Sequence, residues 1–299
     1  MIINKGLGMR HKDLISGYLM LLPIGIIIFT VIIYPLIQAL IISFTNTYWL
    51  QPREQDKFVG LENYIWFLKN ANLMLYVRNT VIWVGGTLAG ILIFGMSLAL
   101  LLNRKMQFRS LYRGLALVPL LMPNAAVGVV WKWIFDGQWG ILNNILQQVK
   151  LIDVNIGWLV DFNYVWVAIL IVSIWKHLPF MFVNLLAGLQ SISQELYDAG
   201  KVDGASSWKA FWYITLPQLK GIISVMLLLE VIWLSNEAVI IWILTKGGPI
   251  DISMAIAPLV YATAFEYFRI GRASAIGVIL MLFTLVLVTI YLKRVDVDI

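Results

Sequence analysis

Cysteine is absent from all 299 residues, so no disulfide, thiolate metal site, cysteine nucleophile or lipidated cysteine can form. Two histidines in so apolar a chain argue against a zinc site. The sequence also lacks a Gly-x-x-x-x-Gly-Lys-Ser/Thr phosphate loop, which excludes it as an ATPase in its own right. Charge is scarce. Asp, Glu, Lys and Arg make up 13% of the chain, against about 25% in soluble domains. The formal net charge of +6 does not point to nucleic acid, because Lys and Arg stand between apolar runs, where they set membrane topology.

What is present is hydrophobic surface: 61% of residues, with a mean hydropathy of +0.85 over the whole length. Such a composition excludes a soluble enzyme on a single anchor and predicts an all-α polytopic membrane protein. No charged side chain occurs from Leu14 to Pro52, which exceeds the ~20 residues of a spanning helix and the ~7–15 of a signal-peptide core. We place six spans in one transmembrane domain covering residues 1–299, at about 15–43, 79–103, 112–135, 164–190, 219–245 and 273–292. Gly85, Gly86, Gly90 and Gly95 give span two a small surface for close helix approach, and Gly277 does so in span six. Pro119 and Pro123 predict a bend in span three. With the N-terminus inside, twelve Lys and Arg fall on the cytoplasmic side, among them Lys5, Arg10 and Lys12, and eight outside, among them Arg53. An even number of spans then leaves both termini cytoplasmic.

The two longer outer segments carry Trp49, Phe58 and Phe67, then Trp133, Phe135, Trp139 and Trp158. These suit either an interfacial belt or a docking surface for an external partner. The inner connection 191–218 is written as two helices rather than a simple turn. Ser193 is an N-cap with Glu195 in the first turn, and Leu196, Ala199 and Val202 make an apolar stripe. Gly204 breaks that helix. Ser206 or Ser207 caps a second, whose face is Trp208, Phe211, Trp212 and Ile214, until Pro217 starts span five. This shape suits a partner's groove.

Within this connection, Asp198-Ala199-Gly200, Asp203-Gly204-Ala205 and the terminal Leu216-Pro217 resemble the EAA loop of binding-protein-dependent ABC importer permeases. The loop departs from the common form at Asp198 for Glu and at Gly200 for Ala, the second lowering helix propensity by about 1 kcal/mol. Gly60-Leu61-Glu62-Asn63-Tyr64, Phe108 to Arg113, Trp175 to Phe180, Leu186 to Gln190 and Leu244 to Pro249 are similar to recurring phrases of the carbohydrate branch, in their usual order. The resemblance covers nearly the whole chain and is closest to maltose-type and glycerol-phosphate-type first permease subunits. It implies the type I ABC importer permease fold in a bacterial or archaeal cytoplasmic membrane. The implied partners are a second permease in a heterodimer, two copies of an ABC ATPase subunit that bind ATP and Mg, an external solute-binding protein and a carbohydrate; no cofactor is implied in this chain. It further implies that Glu195, Asp198, Ala199, Gly200, Asp203, Gly204 and Ala205 couple to the ATPase.

Ionisable side chains inside spans are costly and therefore candidates for function. Glu230 and Glu237 are seven residues apart, two helical turns, with Trp233 and Leu234 between them on one face. In register with the maltose-type family, the resemblance places His177, Phe180, Glu230, Trp233, Leu234 and Glu237 along the solute path. The alternatives are that Glu230 pairs with a cation of the partner subunit or is protonated, and that His177 is a satisfied interior residue. Lys176 snorkels or pairs with a carboxylate. Acidic lining disfavours a phosphate and favours neutral or cationic groups, so glycerol phosphate is a weaker alternative than sugar or polyol. A proton-coupled secondary transporter using both glutamates is the competing class, without the internal inverted repeat such folds carry.

Overall fold

The structure is a computed structural model and describes residue 16 and residues 19–50, 57–70 and 72–294. Lys5, Arg10, Lys12 and Arg53, which entered the charge count, lie outside the described residues. Secondary structure among the described residues is helical: α1 Leu19–Ser43, α2 Glu62–Leu68, α3 Leu73–Asn103, α4 Arg109–Leu121, α5 Asn124–Ile134, α6 Ile141–Gln148, α7 Val165–Ser191, α8 Gln194–Val202, α9 Ser207–Asn236, α10 Val239–Thr245, α11 Ile256–Phe265 and α12 Ile270–Arg294. Five of these are long and apolar enough to span a bilayer, and the bent pair α4–α5 makes a sixth. Two compact units divide the chain, with boundaries at Leu68/Lys69, Ala262/Thr263 and Val278/Ile279.

In the smaller unit, the backbone leaving α1 is held by Asn63 at the start of α2. Its buried amide donates to the carbonyls of Ser43 (2.9 Å) and Thr45 (2.7 Å). Arg272 lies over the ring of Trp66, 4.3 Å from its centroid, a cation–π contact that keeps the guanidinium beside apolar surface.

The larger unit is organised on α3 and α7. Gly86 faces Leu170, Gly90 faces Ile174 and Gly95 faces Met181; a Cβ at Gly86 would stand 2.8 Å from a Leu170 methyl and one at Gly95 3.0 Å from Met181 Cγ. Where lipid is as apolar as leucine, such close approach and its dispersion contacts hold helices together. Trp83 Nε1 donates to Ser173 Oγ across the same interface (2.9 Å), both residues being buried. Among the described residues, a Cβ added at Gly85 or Gly277 would meet nothing within 4 Å, so the expectation of a close contact at Gly277 does not hold among them.

Span three breaks between α4 and α5 by 103°. Proline at 119 and 123 withholds two N–H groups, and the carbonyls at the end of α4 turn instead to Lys176. Its Nζ donates to Met122 O (2.7 Å), Pro119 O (3.1 Å) and, more weakly, Leu120 O (3.4 Å). Its ammonium is thus directed at these carbonyls, and it makes no ion pair with a carboxylate among the described residues. It caps a broken helix, a cation at the negative end of the helix dipole.

Span five differs from expectation at both ends. Trp208, Phe211, Trp212 and Ile214 belong to the start of α9, which runs on through a wide π turn at Phe211–Thr215 and past Pro217 to Asn236. Proline at the first turn of Leu216–Asn236 costs little because π geometry has already rearranged the preceding bonds. At the other end the helix stops at Glu237, whose backbone is extended (φ −80°, ψ 121°), and restarts as α10. Gly128 of α5 meets Ile243 of α10, where a Cβ would lie 2.9 Å from Ile243 Cβ.

The connection 135–164 is folded. Asp136 accepts from the backbone N–H groups of Trp139 (2.8 Å) and Gln138 (2.9 Å), and these donors hold its carboxyl below the ordinary range. Buried Asn143 ties α6 to the chain after it, donating to Ile156 O and accepting from Trp158 Nε1. The aromatics expected as one belt divide: Phe67, Phe135 and Trp158 are core, whereas Trp49, Phe58, Trp133 and Trp139 are exposed.

Candidate functional site

Where α7 passes the breaks in spans three and five, a cavity of about 390 Å³ opens, lined by Leu120, Asn124, Lys176, His177, Phe180, Glu230, Ile232, Trp233, Asn236 and Glu237. Sites for small molecules span about 300–1,000 Å³. Of the six residues expected along a solute path, five line it: His177, Phe180, Glu230, Trp233 and Glu237. Leu234 does not. It is 1% exposed and sits in the core with Ile240, Ile241 and Trp83.

Each polar group in the lining has a distinct environment. Glu230 is wholly buried, and its Oε2 lies 2.8 Å from His177 Nδ1. Glu230 Oε1 and His177 Nε2 have no partner among the described residues. Phe180 and Trp233 stand edge to face, ring centroids 4.8 Å apart, forming an aromatic wall. Trp233 remains 45% exposed, with surface left for an apolar ligand face.

Glu237 is used differently from Glu230. Because α9 ends before it, the two glutamates do not share one helical face, although they line one cavity. Its Oε1 accepts from the first N–H groups of α10, Val239 (2.6 Å) and, weakly, Ile240 (3.4 Å), while Oε2 accepts from Asn124 Nδ2 at the start of α5. Glu237 thus caps one broken helix and ties it to the other. Proline spacing predicted the first break, and nothing in the composition of span five predicted the second.

The connection 191–218 has the two expected pieces. Ser193 Oγ accepts from Glu195 N (3.2 Å) and Ser206 Oγ from Lys209 N (3.4 Å), so Ser206 rather than Ser207 is the second cap. Gly204 turns the chain at φ +74°, a conformation suited to glycine. Gly200 has a packing reason beyond helix propensity: a Cβ there would come within 2.8 Å of Ile214 Cδ1, so its absence lets α8 lie against the π turn. Tyr197 OH and Thr215 Oγ1 bridge the same contact at 3.0 Å. The expected stripe of Leu196, Ala199 and Val202 is exposed, with Glu195, Asp198 and Asp203 also on the surface and Ala205 half-buried. Asp198 pairs with Lys201 at 2.8 Å. The hydrogen bonds from Lys201 and Gln194 hold its carboxyl below the ordinary range, but an exposed pair stabilises little. Sequence reasoning missed one tie here. With the Gln190 amide oxygen facing the guanidiniums, it accepts from Arg113 (2.8 Å) and Arg109 (3.2 Å), while Arg113 also donates to Leu102 O (3.0 Å).

Residues 91–296 match the family of binding-protein-dependent transport system inner membrane components. The chain belongs to that family. It is 33% identical over 288 residues to the trehalose/maltose transport system permease protein MalF of Thermococcus litoralis, covering 95% of each chain. It is 30% identical to the sulfoquinovosyl glycerol transport system permease protein SmoG of Agrobacterium fabrum, covering 94% of this chain and 90% of the relative. Among solved structures, a chain of a bacterial ABC transporter involved in import of the acidic polysaccharide alginate superposes with a TM-score of 0.80 at 22% identity, over 97% of this chain and 99% of that one. The fold is therefore that of a type I ABC importer permease, and the chain is a multi-pass membrane permease component.

Proposed function

We propose that this chain forms half of the membrane pathway of an ATP-driven importer of a carbohydrate, an oligosaccharide, disaccharide or related glycoside. The observation that carries this reading is the buried His177–Glu230 pair beneath the Phe180–Trp233 wall in one cavity. Carboxylate and imidazole accept hydroxyl hydrogen bonds, and an aromatic face covers the apolar side of a sugar ring. Support comes from relatives named for trehalose/maltose and sulfoquinovosyl glycerol transport.

ATP, with Mg, is hydrolysed by two partner subunits, one of which docks on α8 and the Gly204 turn, where Glu195, Asp198, Ala199, Gly200, Asp203 and Ala205 form the surface offered to it. Their exposed, capped helix is the feature that favours this docking. A second, different permease completes the path, and an external binding protein delivers the solute. ATP-driven closure of the partners favours one permease state by differential contact. In this arrangement the chain lies in a bacterial or archaeal cytoplasmic membrane with both termini inside, as the Lys and Arg distribution favours.

The test is uptake into proteoliposomes by the complex assembled with its partner subunits and binding protein. Sugar uptake that requires ATP and persists without a proton gradient supports the reading. Uptake driven by the gradient alone would assign the two glutamates to a proton relay instead.

A further inference from the structure

Resting on the carbohydrate reading above, the cavity carries information about the charge of its solute. Its lining holds two carboxylates and, besides His177, one cationic side chain, Lys176. Lys176 points its donors at three backbone carbonyls, and an ammonium has only three N–H groups. Glu237 is engaged by Asn124 and by the start of α10. The buried side-chain atoms of the lining left without a partner among the described residues are Glu230 Oε1 and His177 Nε2. A carboxylate oxygen only accepts.

We infer that the cavity selects uncharged or amine-bearing sugars and rejects uronates and sugar phosphates, because the buried carboxylate of Glu230 keeps one oxygen open and the one ammonium of the lining is directed at the carbonyls of broken helix α4. A hydroxyl or ammonium donated to Glu230 Oε1 satisfies an acceptor whose burial without a partner is costly. A carboxylate or phosphate placed there meets a like charge in a poorly screened site, with the ammonium of the lining already directed at α4. His177 is the positioning residue that holds the carboxylate. The backbone framework does not dictate this choice: the alginate transporter, whose matched chain shares the fold with a TM-score of 0.80, imports an acidic polysaccharide.

The test measures binding to the assembled transporter in lipid nanodiscs, without binding protein, by saturation-transfer NMR titration. The probes are matched methyl glycosides of the gluco, galacto and manno series, each as the neutral sugar, the amino sugar and the uronide. In the series that binds, the uronide should bind at least about tenfold more weakly than the neutral sugar, the loss expected when a charged hydrogen bond gives way to repulsion. Glu230→Gln, which keeps shape and removes charge, should bring that gap below about threefold. Equal binding of neutral sugar and uronide by the unaltered protein overturns the inference and needs no variant to fold. A gap that survives Glu230→Gln unchanged also overturns it. If no sugar of any series binds, the carbohydrate reading itself falls.

Discussion

Replacing Lys176 with Met keeps much of the side chain's length and apolar stem while removing the cap from the carbonyl end of α4. The geometry sets the size of the effect. Two contacts, 2.7 Å to Met122 O and 3.1 Å to Pro119 O, are good hydrogen bonds, and the third at 3.4 Å counts for little. Interhelical hydrogen bonds inside membranes average about 0.6 kcal/mol, whereas those to a charged group elsewhere contribute about 1.5–3 kcal/mol. Two bonds from one ammonium to carbonyls that no other helix serves should therefore stabilise by about 1.5–3 kcal/mol. Proline at 119 and 123 raises the dependence on Lys176, since the chain cannot restore these bonds by straightening. Reversible detergent-induced unfolding of Lys176→Met should show this loss, and Lys176→Arg, which retains the donors, should lose less. A Lys176→Met protein within about 0.5 kcal/mol of the unaltered one would refute the assignment of Lys176 as the cap.

Gly128→Leu should destabilise by about 1–3 kcal/mol, because the clash is with Ile243 Cβ, which cannot swing aside as a side-chain tip could; unfolding and uptake of the assembled complex check it. Gly204→Val has open space around it, so its cost of about 1–2 kcal/mol comes from the left-handed backbone at φ +74°; insertion should be normal, and solute-stimulated ATPase should fall. Glu237→Gln should act on stability, losing about 0.3–1 kcal/mol of helix-dipole interaction at α10, with solute affinity within about twofold of the unaltered protein; a large affinity loss with normal stability would place Glu237 on the solute instead. Acidification should leave the α8 pair intact down to below the ordinary carboxylate range: the folded pKa of Asp198 is depressed, so the stability it contributes is present above about pH 4 and is lost only as pH falls through the lower folded value, which a pH series of unfolding with Asp198→Asn as the control checks.

Much of the framework was legible because bilayer physics leaves a large signal. Apolar runs mark helices long enough to cross a bilayer, and the small residues of span two mark the face on which α3 meets α7 at Gly86, Gly90 and Gly95. What failed did so where an element's neighbours decide. Gly277 looks like Gly90 in sequence, yet a Cβ there would meet nothing among the described residues. Pro217 looks like a helix start yet lies inside a continuous α9, because a π turn upstream absorbs its missing N–H. α11, with ten residues, falls short of a span.

At the site, residue type was readable and partnership was not. Burial of two glutamates and a histidine in apolar helices marks them as candidates, but a period of seven assigns Glu230 and Glu237 to one face only if the helix persists between and beyond them. It ends at Asn236. The extended residue that follows turns a carboxylate from a side chain on a helix face into the cap of the next helix, where backbone N–H groups compete with any solute for its oxygens. The same break leaves Leu234 facing the core beside α10. Glu230 lies well within α9, keeps its helical direction and meets His177 of α7, so one oxygen stays open. Two identical side chains in one cavity thus divide between a helix cap and a buried carboxylate with one open oxygen, and the division is made by where the helix stops.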